Sequence, residues 1–380
     1  VKNPGGANAE ANLVIINNYL KNPKDTDGVG VVDNKPIASL VTKGDFIIKE
    51  TKVADLSKGR SLYNTVFGSS GNKISDPIPG VTGTETTLGV PNGISAQQLL
   101  DVWAENAKNG YLDTTNGYDY SQLFPKFLMG AKSYNQIVDK YLDEYVNTPG
   151  TKDNDKPYKD GVIYTGKEHS WDEGFGYFGA AANYGELTAE QNYGIKKRKA
   201  EYFTNADANG DGKVSLKTEY TSGLAYYAAS FDKDGKSTYG KDIMNAFLQG
   251  RTVITNAVDK DGNARKLTDA ERAKLVAYAD TIQKNLELVL AEAVYKYAGG
   301  AHAKMDAYLT GTAGIGHETP TDADKDYYKQ WGELKGFMLA MQYGGTGSKM
   351  TKAKFEEIDN LIGYGPVLSD GSQVTGLNGN

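Results

Sequence analysis

Cysteine is absent from this 380-residue chain, and histidine occurs three times. Without a thiol there is no cysteine nucleophile, no cysteine-ligated zinc and no iron–sulfur cluster. Long apolar runs are missing as well. A membrane helix needs roughly 18 or more apolar residues; the richest stretches here, such as Leu13-Val14-Ile15-Ile16 and Phe337-Met338-Leu339-Ala340-Met341, fall far short. No basic stripe offsets the net charge of -6, and the clump Lys196-Lys197-Arg198-Lys199 is short. That balance speaks against a nucleic-acid partner. There is no G-x-S-x-G, no P-loop and no G-x-G-x-x-G opening a helix, so nothing points to a nucleotide enzyme.

Glycine and tyrosine are plentiful, at 45 and 26 residues. At about 150 residues per domain, the length allows two or three domains or one repeated one. A chain of this size can bury a core without disulfides or a structural metal. Tyrosines in this number either pad helical seams with their hydroxyls at the wet edge or line a ligand surface. The chain starts at Val1 without a signal-like segment, and Lys2–Asn8 reads as a linker. A mature exported chain and a trimmed one both have this look, and the Tyr-, Asn-, Asp- and Gly-rich composition leans toward an exported bacterial protein.

Residues 1–94 read as one helix, about Ala9–Leu20, followed by glycine- and proline-punctuated loops with a short strand near Asp45–Lys49. From Ser95 the pattern turns helical. Capping boxes open helices at Ser95-Ala96-Gln97-Gln98, Thr188-Ala189-Glu190-Gln191, Thr268-Asp269-Ala270-Glu271 and Thr321-Asp322-Ala323-Asp324. Apolar positions Phe124, Phe127, Leu128, Ala131, Tyr134, Ile137, Val138, Tyr141 and Leu142 predict one long helix over 120–146. Leu275, Tyr278, Ala279, Ile282, Leu286, Val289, Leu290, Ala293 and Tyr297 predict another from Thr268, closed at Gly299-Gly300. At 1.5 Å per residue that helix is about 45 Å long, and only a bundle can cover it. Shorter helices are expected near 170–183, 188–204, 217–230 and 352–362. The fold class is therefore mainly α, in two related helical bundles behind a loop-rich N-terminal region. The divisions are 1–94, a first half over 95–215, a second half over 216–365 and a polar tail over 366–380.

The relation between the halves rests on two segments. Trp171-Asp172-Glu173-Gly174-Phe175-Gly176-Tyr177 and Trp331-Gly332-Glu333-Leu334-Lys335-Gly336-Phe337 share W-x-E-x-x-G-aromatic, each behind a long amphipathic helix. In both, the glycine suits close helix approach and the glutamate is expected at a seam.

Two groups of residues carry candidate metal chemistry. In Glu168-His169-Ser170-Trp171-Asp172-Glu173, His169 and Glu173 stand at i and i+4, where an imidazole and a carboxylate share one cation. The plainer reading is a capping box from Ser170 to Glu173. His302 and His317 could add a ligand, though each alone reads as an ordinary loop or surface histidine. The second group, Asp207-Ala208-Asn209-Gly210-Asp211-Gly212-Lys213-Val214-Ser215, matches the first nine positions of an EF-hand loop. Asp207, Asn209, Asp211 and the Lys213 carbonyl are the expected calcium ligands. Position 12 is Thr218, so the late carboxylate falls to Glu219, one residue on. The plain alternative is an Asx/Gly turn. Asp232-Lys233-Asp234-Gly235 and Asp259-Lys260-Asp261-Gly262-Asn263 are shorter echoes and read as turns.

Leu128-Met129-Gly130-Ala131, the 168–179 block, the acidic loop 207–219 and Trp331–Phe337 together resemble an uncharacterised branch of imelysin-like bacterial envelope proteins. That resemblance covers about 95–345. It implies two related bundles, export to the periplasm or cell surface with a possible lipid anchor, and a non-enzymatic role in iron or haem acquisition; some relatives are described as metallopeptidases. In the family's G-x-H-x-x-E signature, His169 holds the histidine position, Lys167 the glycine and Asp172 the glutamate, with Glu173 one residue late. The implied ligand set is His169, Asp172 and Glu173, with Glu333 from the second bundle. Calcium is the cofactor expected of 207–219, with iron or zinc the candidates at His169. The expected partners are a metal ion or haem, an outer-membrane receptor or a surface polysaccharide. A calcium-stabilised surface module binding polysaccharide or protein is the alternative function, with a metallopeptidase third.

Overall fold

The structure is a computed structural model that describes residues 6–21, 32, 35, 37, 43–56, 87–142, 154–310, 321–368 and 371–373. His317 and the far end of the 120–146 prediction lie outside these residues, as does most of the polar tail. Among the described residues the chain is mainly helical, with one two-stranded sheet. The helices are α1 (Ala9–Lys21), α2 (Ala96–Ala107), α3 (Tyr120–Leu128), α4 (Gly166–Phe178), α5 (Ala189–Lys197), α6 (Phe203–Ala206), α7 (Gly223–Asp232), α8 (Tyr239–Thr255), α9 (Asp269–Thr310), α10 (Asp322–Ala340) and α11 (Lys352–Ile362). No helix among them is long and apolar enough to cross a membrane.

All four capping boxes form. The Ser95, Thr188 and Thr321 side chains each accept from the backbone amide three residues on. Thr268 and Glu271 exchange the same pair of bonds at the head of α9. Caps of this kind are worth about 1 kcal/mol each. Packing contributes more. Leu275, Ala279, Ile282, Leu286, Val289, Leu290 and Ala293 on α9 are almost fully buried, and burying one large aliphatic side chain stabilises by about 1.5–3 kcal/mol.

Several expectations needed correction. Gly299-Gly300 does not end α9, which runs on to Thr310, 42 residues and about 63 Å in all. Gly300 lies against α10, where the end of the Gln330 side chain occupies the space beside it. The 120–146 stretch is α-helical only to Leu128, then widens into π-helical turns over Met129–Tyr134 and Gln136–Tyr141. Most of its apolar stripe is buried, with Ala131, Tyr134 and Ile137 fully enclosed, while Phe124 and Leu128 are half-buried. The 188–204 helix breaks after Lys197, where Arg198 takes a left-handed conformation. The helix expected at 217–230 begins only at Gly223. Helix α8 was not foreseen; Gly250 within it gives way to the Trp171 indole, which leaves no space for a Cβ. The hairpin Leu112–Asp113 with Tyr118–Asp119 was also missed, and the Asp113 carboxylate ties its turn through the Thr115 and Asn116 amides.

One continuous apolar core runs from Ala96 to Phe355, joining both expected halves. A second, small core gathers Phe46, Ile48, Ile195, Ala206, Val214 and Tyr220. It holds the 43–50 segment against the acidic loop.

Candidate functional site

The acidic loop has the internal hydrogen bonding of an EF-hand. The Asp211 amide donates to Asp207 Oδ1 (3.1 Å) and Asn209 Oδ1 (2.9 Å), and the Gly212 amide to Asp207 Oδ2 (2.9 Å). The Lys213 amide donates to Asp211 Oδ1 at 3.0 Å. Gly212 sits at φ +78°, the left-handed turn that position six of such a loop requires. Glu219 falls one residue late in sequence, yet its buried carboxylate folds back into the loop. It accepts from the Ser215 amide at 2.8 Å and the Asn209 amide at 3.2 Å.

Context departs from the expectation in one respect. The four-residue helix α6 precedes the loop, but only a single turn follows before the chain extends into 220–222. The missing support comes from the N-terminal region. Val214, at position eight, bridges Ile48: its amide donates to the Ile47 carbonyl (2.8 Å) and its carbonyl accepts from Lys49 (2.9 Å). Glu50 accepts from Ser215 Oγ (2.9 Å) and the Leu216 amide (2.7 Å). The Lys49 ammonium reaches Asp211 at 2.7 Å, and that bond holds the Asp211 carboxyl below its ordinary range. The expected short strand at Asp45–Lys49 is thus a clamp on the loop, contributing one bridge to it.

The His169 cluster is organised otherwise. A small hairpin over 157–165 leads into α4, whose cap is Thr165 with Glu168 rather than Ser170 with Glu173. Glu168 Oε1 accepts from Arg251 Nη1 (2.5 Å) and the Thr255 hydroxyl (2.8 Å). Burial raises its carboxyl, but the Thr165 amide, Thr255 and Arg251 together hold it below the ordinary range. The same guanidinium donates from Nε to Asp172 at 2.8 Å. The His169 ring lies 3.9 Å from that of Tyr158 and 5.7 Å from Tyr164, with Nε2 3.5 Å from Glu173. His302 lies in the distal part of α9.

Glu333 is buried at the α3–α10 seam, as its place in the repeat suggested. It pairs with Lys126 at 3.2 Å rather than with the His169 group. Lys126 also donates to Gln122 at 2.8 Å, and burial lowers its ammonium pKa against the pull of Glu333. Tyr227 and Tyr297 continue this polar line, their hydroxyls 3.4 Å apart. Among the described residues no three His, Asp or Glu side chains are grouped as a metal would need. In the loop the carboxylates turn to backbone amides and Lys49; around His169 they turn to Arg251. Sequence reasoning missed Arg251, whose helix carried no clear start signal, and Lys126, which only the fold places opposite Glu333. The echoes at Asp232 and Asp259 are turns, Asp232 capping α8 through the Tyr239 and Gly240 amides.

Fold and loop together define a helical-bundle protein with an EF-hand-type loop clamped by an N-terminal segment. Residues 93–278 carry a domain whose family is described as "Domain of unknown function (DUF4856)"; nothing in that match names the imelysin family. No curated protein and no solved structure matches the chain.

Proposed function

We propose that this chain is a calcium-stabilised, non-catalytic binding module, with Asp207, Asn209, Asp211, the Lys213 carbonyl and Glu219 taking the ion. The observation that carries this reading is the return of the buried Glu219 carboxylate into a loop whose other oxygens already follow the EF-hand order. Oxygen-only ligands suit a hard cation. Calcium would take over Asp211 from Lys49 and tighten the loop against the 43–50 segment. The imelysin-like resemblance of 168–179 supports a setting at the bacterial envelope, where calcium is plentiful enough for a weak loop. An iron or haem site would need Asp172 and Glu333 released from Arg251 and Lys126, so the loop supports its metal better than the His169 group does.

Calorimetric titration with calcium chloride is the test. Binding is expected near the 10⁻⁴–10⁻³ M typical of extracellular modules, roughly. A tenfold excess over Kd then stabilises by about 1.4 kcal/mol, read as a higher melting temperature than in chelator. Glu219→Gln and Asp207→Asn should each remove that increment. Identical melting with calcium and with chelator, together with no binding heat, would overturn the reading.

A further inference from the structure

Lysines crowd the wet end of the seam above Glu333. Lys196 lies 5.4 Å from the Tyr220 ring, Lys197 5.3 Å from that of Tyr226, and Lys296 5.4 Å from that of Tyr297. Tyr193 and Tyr226 stack at 5.6 Å, and Tyr226 meets Tyr227 at 5.0 Å. The nearby carboxylates are already engaged. Glu333 holds Lys126, Glu190 holds Lys199 at 3.3 Å, and Asp234 holds Lys233 at 2.7 Å. Lys196, Lys197 and Lys296 have no ion pair with any described residue; their contacts are aromatic faces and, for Lys197, the Tyr226 hydroxyl. Burial and neighbouring cations both lower the Lys196 ammonium pKa.

This is a local surplus of positive charge in a chain of net charge -6. Converging ammonium groups repel one another, and the π-faces they rest on offset only part of that repulsion. An incoming anion relieves that repulsion, and partial desolvation strengthens its bonds. We propose that Lys196, Lys197 and Lys296 form the rim of a binding site for an oxyanion, the carboxylate or phosphate of a small ligand. The Lys126–Glu333 pair is the floor of the site. The single Glu333 carboxylate also draws Lys197 and Lys296 toward it, so one anion serves several ammonium groups and the surplus of positive charge remains. Lys196 rests on Tyr220, next to Glu219, but the rim needs no calcium to carry its charge.

Calorimetric titrations with inorganic phosphate and with glucuronate, in buffer free of added calcium, test the assignment. Saturable one-to-one binding of either probe, weakened by added sodium chloride, is expected. Phosphate alone assigns a phosphoryl ligand, glucuronate alone an acidic sugar, and both together a general oxyanion site. Substituting Lys196, Lys197 and Lys296 with Gln should lower affinity at least about tenfold without lowering the melting temperature. Should the triple variant fold poorly, Lys197→Gln at the exposed rim carries the test alone. Absence of saturable binding for both probes, or unchanged affinity in a folded lysine variant, overturns the proposal.

Discussion

The segments from Trp171 to Tyr177 and from Trp331 to Phe337 read alike, but their neighbours use them differently. Both tryptophans are buried, and both indole N–H groups donate to a backbone carbonyl of another helix: Phe247 at 2.8 Å and Ile362 at 3.3 Å. The glutamates part company. Glu173 sits at a half-open rim beside His169, whereas Glu333 is enclosed against Lys126. The glycines differ as well. Nothing comes within 4 Å of a Cβ built on Gly176, while one on Gly336 would meet the Lys126 Cβ at 2.7 Å and the Leu123 carbonyl at 3.2 Å. The shared pattern therefore specifies the tryptophan anchor. What lies against the opposite face, the 157–165 hairpin for Glu173 and helix α3 for Glu333, decides whether the glutamate stays at an open rim or is enclosed.

Breaking the glutamates apart should give the largest contrast. Glu333→Gln leaves the buried Lys126 ammonium uncompensated and should cost about 3 kcal/mol in urea unfolding. Glu173→Gln should cost under about 1 kcal/mol. Equal losses at the two positions would erase the distinction. The glycines come next. Gly336→Ala forces a methyl into the α3 backbone and should destabilise by about 1–3 kcal/mol. Gly176→Ala meets open space inside a helix and should stabilise by about 0.5–1 kcal/mol.

The smallest effect is in pH dependence. Glu168, beside the first tryptophan, has a carboxyl held below its unfolded value. It adds stability above the ordinary glutamate range and loses it as acid passes through the lowered pKa. Lys126, beside the second segment, has a depressed ammonium, so its burial costs least once it is neutral. Stability from that site rises as pH climbs toward the unfolded lysine value. Arg251→Gln should flatten the acid limb of the stability profile, and Lys126→Met the alkaline limb.

Much of the helical plan was legible because caps and apolar stripes are local signals. Thr268 with Glu271 and Thr321 with Asp324 mark their helices from four residues each. What was illegible depended on partners distant in sequence. Gly299-Gly300 has the look of a stop, but α9 continues through it because the packing of α10 along its side is known only from the fold. Helix α8 lacks a cap of its own because Asp232, seven residues upstream, serves its first amides. For the candidate sites the pattern was similar. The loop ligands were readable from spacing, while the clamp by Val214, Ile48 and Glu50 joins positions some 165 residues apart. The acids near His169 looked available in sequence because Arg251 was out of view.

The long helix α9 has a consequence for any attempt to divide the molecule. The family match ends at residue 278, inside α9, and the apolar face of that helix continues through Leu286, Leu290 and Ala293 into the shared core. The matched segment is thus smaller than the unit that folds. A fragment cut at residue 278 would lose the rest of α9 together with α10 and expose the core face that both cover, so a peptide spanning both helices is the natural complement in trans.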